Sequence, residues 1–319
     1  MSRFLVRRVA LGVVVMWVVA SIVFMLYFVT PNDPARLIAG KEATAQTLAA
    51  VRHHLGLDRP LIDQYGSFLW RYLQGNLGYS YYNQESVRTI VAQDLPVTAS
   101  LAVGGAIIWL VIGVFAGVLA ARRPRSVGDR SVTSVALLFY SMPTFLLGLL
   151  SLTVFFYWLH IEGIDIFPPP GYVGLSTSVG GWFSHMILPW LTLALVTAAI
   201  YARLTRGSML DVLGEDYIRT ARAKGLSERR VIYRHGLRSA MTPIVTEFGI
   251  DVGTLLGGVI VTESVFGLPG LGSQILNSIT DGDLPVTMSL VILAAAFVVV
   301  ANILVDVVYV LIDPRVRLT

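Results

Sequence analysis

The apolar residues of this 319-residue chain gather into six long runs separated by polar stretches. The runs cover Val9 to Val29, Ala99 to Ala121, Val132 to Leu159, Trp182 to Ala202, Met241 to Thr262 and Pro285 to Ile312. Each is long enough for a membrane-spanning helix, which needs about 20 mainly apolar residues. Lipid offers no hydrogen bonds, so such a segment must satisfy its backbone within the helix. The pattern predicts an all-α membrane protein with six transmembrane helices. Pro143 and Pro189 fall inside the third and fourth runs and are expected to kink them. The fifth run is the most polar, holding Pro243, Glu247 and Asp251, and the sixth holds Asp306. Asp306 is expected to cap or pair near the cytoplasmic end. The first run follows Arg3, Arg7 and Arg8, as a signal peptide would. Its apolar core exceeds the roughly 7–15 residues of a signal peptide and ends in "TPNDP", so an uncleaved anchor is expected.

Between the first and second runs, residues 30–98 are not low in complexity. Ala43 to His54 reads as a helix, Gly56 and Pro60 break it, and Leu61 to Leu73 has the spacing of a second helix. This stretch is expected to fold as a small cap.

Composition agrees with the span pattern. Hydrophobic residues make up 55% of the chain, charged ones 14%, and mean hydropathy is +0.70. A soluble domain carries roughly 25% charge. There is no cysteine, which excludes disulfide scaffolds, thiolate zinc sites and cysteine nucleophiles. The net charge of +4 gains meaning from its placement. Arg122, Arg123, Arg125 and Arg130 lie in the 122–131 loop, and nine Lys or Arg residues lie in the 203–240 loop. The 160–181 and 263–284 loops have none. The excess therefore reads as topology, with the basic loops and both termini cytoplasmic, and not as a nucleic-acid surface.

The densest charge is in "EDYIRTARAKGLSERR", residues 215–230. Acidic Glu215 and Asp216 suit a helix start. Gly225 suits a C-terminal cap, and Ser227 with Glu228 suits a new N-terminus. The segment reads as helix, break, helix. Small Ala221 and Ala223 lie among Arg219, Arg222 and Lys224. Such a patch fits anionic lipid headgroups or a partner protein, and its physical chemistry does not choose between them.

Glu263, near the outer end of the fifth run, is expected either to serve an outer gate or to be solvated. In the run itself Gly249, Gly253 and Gly257 recur every four residues, a strip suited to close helix packing. Glu247 and Asp251 are also four apart, about 200° around the helix from that strip. Carboxylates at membrane depth face a cavity or a partner. Glu247 and Asp251 are expected either to line a translocation route or to pair with Arg238 or another cation.

No chemistry of catalysis is visible. Neither Lys41 nor Lys224 sits in a G-x-x-x-x-G-K-[ST] phosphate loop, so the chain cannot hydrolyse ATP by that machinery. There is no H-E-x-x-H and no G-x-S-x-G. His53 and His54 are adjacent, and neighbouring helix positions make a poor metal pair.

"EDYIRTARAKGLSERRVIYRHGLRSAMTPIV" resembles the cytoplasmic EAA loop of ABC-importer permeases of the dipeptide and oligopeptide family. Aligning on Gly225 puts the motif's first three positions on Arg219, Thr220 and Ala221, a departure at the first two. "PNDPARLIAG", "LGLDRPLIDQYGSFLWRYLQGNLGYS", "FGLPGLG" and "IDPRVRL" resemble the same family, nearly end to end. The resemblance implies an inner-membrane permease subunit that binds no cofactor of its own. It implies a first span with its cytoplasmic N-terminus (1–29), an extracytoplasmic insertion (30–98) and a five-helix core (99–319) with a coupling loop at 203–240. It implies a second, unlike permease, two ATPase subunits holding ATP and magnesium, an extracytoplasmic substrate-binding protein, and surrounding lipid. It places ATPase coupling on Glu215, Asp216, Tyr217, Arg219, Thr220, Ala221, Arg222, Ala223, Lys224 and Gly225. The implied cargo is a di- or oligopeptide, with nickel, glutathione and haem importers similar in sequence. An ion-driven secondary transporter would instead show inverted repeats or broken spans in both halves.

Overall fold

The computed structural model describes residues 2–29, 35, 43–80 and 82–312. Within these, the surroundings of Gly253, Gly257 and the Asp306 side chain lie outside the description, as does the backbone of "IDPRVRL" beyond Ile312. Helix α1 (Ser2–Phe24) continues through a wider, π-type turn at Met25–Val29. Then come α2 (Ala45–Leu55), α3 (Leu61–Leu73), and two short strands, β1 (Tyr79–Ser80) and β2 (Glu85–Ser86). Helices α4 (Val87–Arg122), α5 (Val127–Tyr140), α6 (Thr144–Ser151), α7 (Val179–Leu213) and α8 (Asp216–Ala223) follow. The chain ends in α9 (Arg238–Phe266), α10 (Leu271–Asp281) and α11 (Leu284–Ile312).

Among the described residues, five helical stretches are long and apolar enough to cross a membrane: Val6–Phe28, Val87–Arg122, Thr144–Ile161, Val179–Leu213 and Leu284–Val305. A sixth arises when Val259–Phe266 and Leu271–Asp281 count as one broken span. The fifth sequence-predicted span lies within α9, which is helical throughout despite Pro243.

Two boundaries differ from the sequence expectation. The third run is not one kinked span. Helix α5 stops at Tyr140, and Pro143 starts α6 with an extended ψ of 138°. Proline lacks an N–H and disfavours helical geometry in the residue before it. Pro189 has the same chemistry, yet α7 runs through it. There Leu188, Pro189 and Trp190 are all buried within the bundle. The second span starts earlier than Ala99. Helix α4 begins at Val87, because Val87, Ile90, Val91 and Leu95 form an apolar face that packs on Leu271, Val286 and Leu290.

The chain forms two compact units. The first comprises Met1–Pro96 and Gly270–Ile303. Its α3 lies on the end of α1 through an aromatic ladder: Phe24 stacks on Phe28 at 4.8 Å and meets Tyr65 and Phe68 at 5.2 and 5.5 Å. Met288 and Ile292 of α11 complete that core. The helices expected at 43–54 and 61–73 are present as α2 and α3. Thr44 caps α2 through a bond from the Thr47 N–H, and Gly56 ends it at φ +68°. Strands β1 and β2 pair antiparallel, Tyr79 opposite Ser86. Ser80 donates a hydrogen bond to Asp283, and Ser289 donates to the Leu77 carbonyl at 2.5 Å.

The second unit comprises Val97–Pro269 and Leu304–Thr319. Helix α7 is its axle, contacted by α5, α6 and α9. Helix α4 meets α7 along a seam of small residues. A methyl group on Gly117 would sit 2.6 Å from the Ala202 carbonyl, and one on Gly113 2.9 Å from the Ala198 carbonyl. These neighbours are backbone atoms and cannot swing away. Gly113 and Gly117 form a G-x-x-x-G pair, which lets membrane helices approach to backbone contact. Of the glycines expected to pack α9, Gly249 lies against the side chain of Val305 on α11.

Candidate functional site

The segment 215–230 folds as expected in outline. Helix α8 starts after Glu215, and Gly225 takes φ +75°, which a side chain would strain. Ser227 precedes the next helical turn in extended geometry, though its hydroxyl makes no capping bond. Ile218, Ala221 and Val231 form a small apolar peg, closed by Leu213 and Leu226. This changes the reading of the small-residue patch. Ala221 points inward and is spent on the peg. Ala223 remains on the surface with Glu215, Asp216, Tyr217, Arg219, Thr220, Arg222, Lys224 and Gly225.

Across the Gly225 break, Arg222 forks onto Glu228 at 2.8 and 3.2 Å. The Arg222 guanidinium holds the Glu228 carboxyl below its usual range. Both side chains are roughly half exposed, so the pair orients the break more than it stabilises it. Arg219 and Asp216 approach only to 3.4 Å.

A second basic loop is organised by Asp129, a residue that sequence reading passed over. Its buried carboxylate accepts from Arg206 Nε at 2.6 Å, from Arg206 Nη2 at 2.8 Å and from the Arg125 N–H at 2.8 Å. Those bonds, the Arg206 guanidinium foremost, hold its pKa at about 2. Ser126 caps the same helix by accepting from the Asp129 N–H. The S-x-x-D spacing was a visible signal for this cap, whereas Arg206 lies 77 residues away.

At membrane depth, α9 presents opposite faces as its spacing predicts. Gly249 is turned to Val305. Asp251 and Glu247 are half-buried, and Asp251 lies beside Tyr201 of α7. Asp251 therefore interacts with Tyr201, a partner that sequence reading did not offer. Tyr201 sits beside Trp109 of α4, with ring centroids 6.4 Å apart. Glu263 is fully buried, not solvated, and accepts from the Thr98 hydroxyl at 2.6 Å.

Residues 113–318 match the family described as binding-protein-dependent transport system inner membrane component, and residues 1–102 match the N-terminal component of such systems. The chain belongs to this family. Among its relatives is a protein of Sinorhizobium fredii named as a probable peptide ABC transporter permease, 38% identical over 99% of this chain and 100% of that protein. A di/tripeptide transport system permease of Pseudomonas aeruginosa is 38% identical over 99% of both chains. A glutathione transport system permease of Escherichia coli is 39% identical over 99% of both. A solved structure, the MetNI methionine ABC transporter in an inward-facing form, superposes with a TM-score of 0.54 at 19% identity. It covers 70% of this chain and 96% of that one, and shows the shared fold. This member of the permease family is thus a multi-pass inner-membrane transport component that works with ATPase and substrate-binding partners.

Proposed function

We propose that this permease forms, with a second and unlike permease, the pathway of an ABC importer for di- or oligopeptides. The observation that carries the proposal is end-to-end identity of 38–39% to relatives named for peptides, di/tripeptides and glutathione, itself a tripeptide. The glutathione relative supports glutathione as the second reading of the cargo.

In this reading the exposed face of α8 seats in an ATPase subunit, with Tyr217, Arg219, Thr220, Ala223 and Lys224 forming the contact. Two ATPases hold ATP and magnesium, and their closure moves α8. The peg of Ile218, Ala221 and Val231 passes that motion to the turns leading into α9. Glu247 and Asp251 line the route, while Gly249, Gly253 and Gly257 pack α9 in place. The loop charges support a cytoplasmic position for residues 203–240 and for both termini. They leave the 30–98 insertion outside, where a binding protein delivers cargo.

The test is reconstitution of the complex with its binding protein in vesicles. Peptide should stimulate ATP hydrolysis, and uptake should stop when ATP is withdrawn. A purified complex without any ATPase, with uptake abolished by an ionophore and indifferent to ATP, would sink the proposal.

A further inference from the structure

Two cavities in the first compact unit adjoin, and their walls differ in kind. The larger, of about 320 Å³, is walled by Phe28 at the end of α1, Phe68 and Tyr72 of α3, and Leu284 and Met288 of α11. The smaller, of about 220 Å³, is walled by His53, Arg59 and Gln64. Phe28 and Arg71 line both, so an apolar chamber and a basic one meet at Arg71. An arginine suits that place, because its stem is apolar and its head is charged. The chambers also have a definite level. Phe28 closes the apolar stretch Val6–Phe28, and Leu284 opens the stretch Leu284–Val305. Ends of two spans that wall one cavity lie at one surface of the membrane, where acyl chains give way to headgroups.

The basic chamber is held in shape and its charges are free. The Gln64 amide donates to the Leu57 and Arg59 carbonyls at 3.1 and 2.8 Å, which ties the break before α3 to the helix and positions Arg59. Asp58, beside it in sequence, is engaged by the His53 ring at 2.9 Å. Neither Arg59 nor Arg71 has an ion pair or a side-chain hydrogen bond among the described residues. Two unpaired guanidiniums on one small cavity call for an anion, and their forked donors match a phosphate. The apolar chamber narrows the choice. The Tyr72 hydroxyl is spent on Ser289 at 2.8 Å. A peptide entering there would leave its backbone N–H and C=O groups unpaired. A helix of another protein, about 10–12 Å across, is too wide to enter. An acyl chain needs no hydrogen bonds and fits both the walls and the depth.

We propose that the two chambers hold one anionic phospholipid of the surrounding membrane. Its phosphate lies between Arg59 and Arg71, and one acyl chain fills the space among Phe28, Phe68 and Met288. The lipid thereby fastens the α2–α3 cap to α1 and α11. A choline headgroup would set its own cation against the two guanidiniums, so a lipid of net negative charge is preferred. The inference does not depend on the identity of the cargo.

The test places the purified complex of permeases and ATPases in phosphatidylcholine vesicles with a minor share of phosphatidylglycerol that carries a diazirine on one acyl chain. After illumination, labelled peptides are mapped by mass spectrometry. Residues 68–79 and 284–288 should be labelled several times more heavily than the exposed α4 face around Phe115, which serves as the measure of bulk lipid. Arg59→Gln and Arg71→Gln should each reduce that labelling about fivefold, and Met288→Trp, which fills the chamber, should remove the excess. Labelling around Phe115 should not change. Diazirine-bearing phosphatidylcholine should label the chamber severalfold less. Labelling no heavier than at Phe115 overturns the inference, as does labelling indifferent to both arginine variants or equal for the two lipids. Loss of labelling on adding inorganic phosphate at constant ionic strength would make this a site for free phosphate and overturn the lipid assignment. If Met288→Trp does not assemble, the arginine variants decide, since both side chains are exposed and neither is needed for folding.

Discussion

At Gly117 a single added methyl group would lie 2.6 Å from a backbone carbonyl of α7. At Ala223, on the exposed side of α8, there is open surface around the side chain. The first position belongs to a seam where two helix backbones touch, and the second to a helix held by a three-residue peg and one half-exposed ion pair. The seam tolerates no change because its neighbours are backbone. The charged segment tolerates most changes for its own folding, because little of it is buried. Sensitivity at the seam therefore reports assembly of the bundle, and sensitivity at α8 reports contact with something outside the chain.

That contrast can be broken. Gly117→Leu should have the largest effect, at least about 2–3 kcal/mol of destabilisation from overpacking. It should appear as lost yield and a lowered thermal midpoint of the purified complex. A midpoint unchanged within a degree would mean that the seam is not a backbone contact. Asp129→Ala comes next. It leaves Arg206 without its carboxylate and frees the loop before α5, at a cost of about 2 kcal/mol. Faster proteolytic cutting near Arg123 and Arg125 is the readout. The same pair carries a pH dependence. With the folded pKa of Asp129 lowered to about 2, its contribution is complete above the unfolded value and fades as pH falls toward 2. Asp129→Asn should flatten the acid limb of a thermal-midpoint profile.

Ile218→Ala removes the peg's centre and should cost about 2 kcal/mol locally. Hydrogen exchange should quicken at residues 216–231 while the global midpoint hardly moves. Ala223→Trp sharpens the comparison most directly. Stability should stay within about 0.5 kcal/mol, as for surface changes generally, while peptide-stimulated ATP hydrolysis falls severalfold. A bulky residue at Ala221 would be a poorer probe, since it would push out the peg as well. Arg222→Ala should do least, below about 1 kcal/mol for an exposed pair, with transport within twofold of native.

Much of this layout was legible in sequence where the signal was local. The first, second, fourth and sixth apolar runs fall on helices long and apolar enough to cross a membrane, Gly56 and Pro60 separated α2 from α3, and Gly225 broke the charged segment. The third run failed because hydropathy does not register whether a proline is clamped. Pro189 is buried along with Leu188 and Trp190, whereas Pro143 is exposed. The β1–β2 pair escaped because two-residue strands carry no period. At the candidate site, the helix-break-helix outline was readable, but the side on which Ala221 falls depends on Val231, which arrives from the next element. Asp251 stands out in the sequence by its spacing from the glycines. Its partner Tyr201 could not be, because only packing joins α9 to α7.

The seam also has a schedule. Thr205, which packs on Gly117, is synthesised 88 residues after it. At translation rates of about 5–20 residues per second, α4 reaches the membrane some 4–20 s before the far end of its mate. For that interval its glycine face stands against lipid, without the close-fitting surface it was shaped for. Early in its life the nascent subunit thus carries an unfilled groove, and a holding factor or a paused insertion site would have its greatest effect there, before α7 slides in.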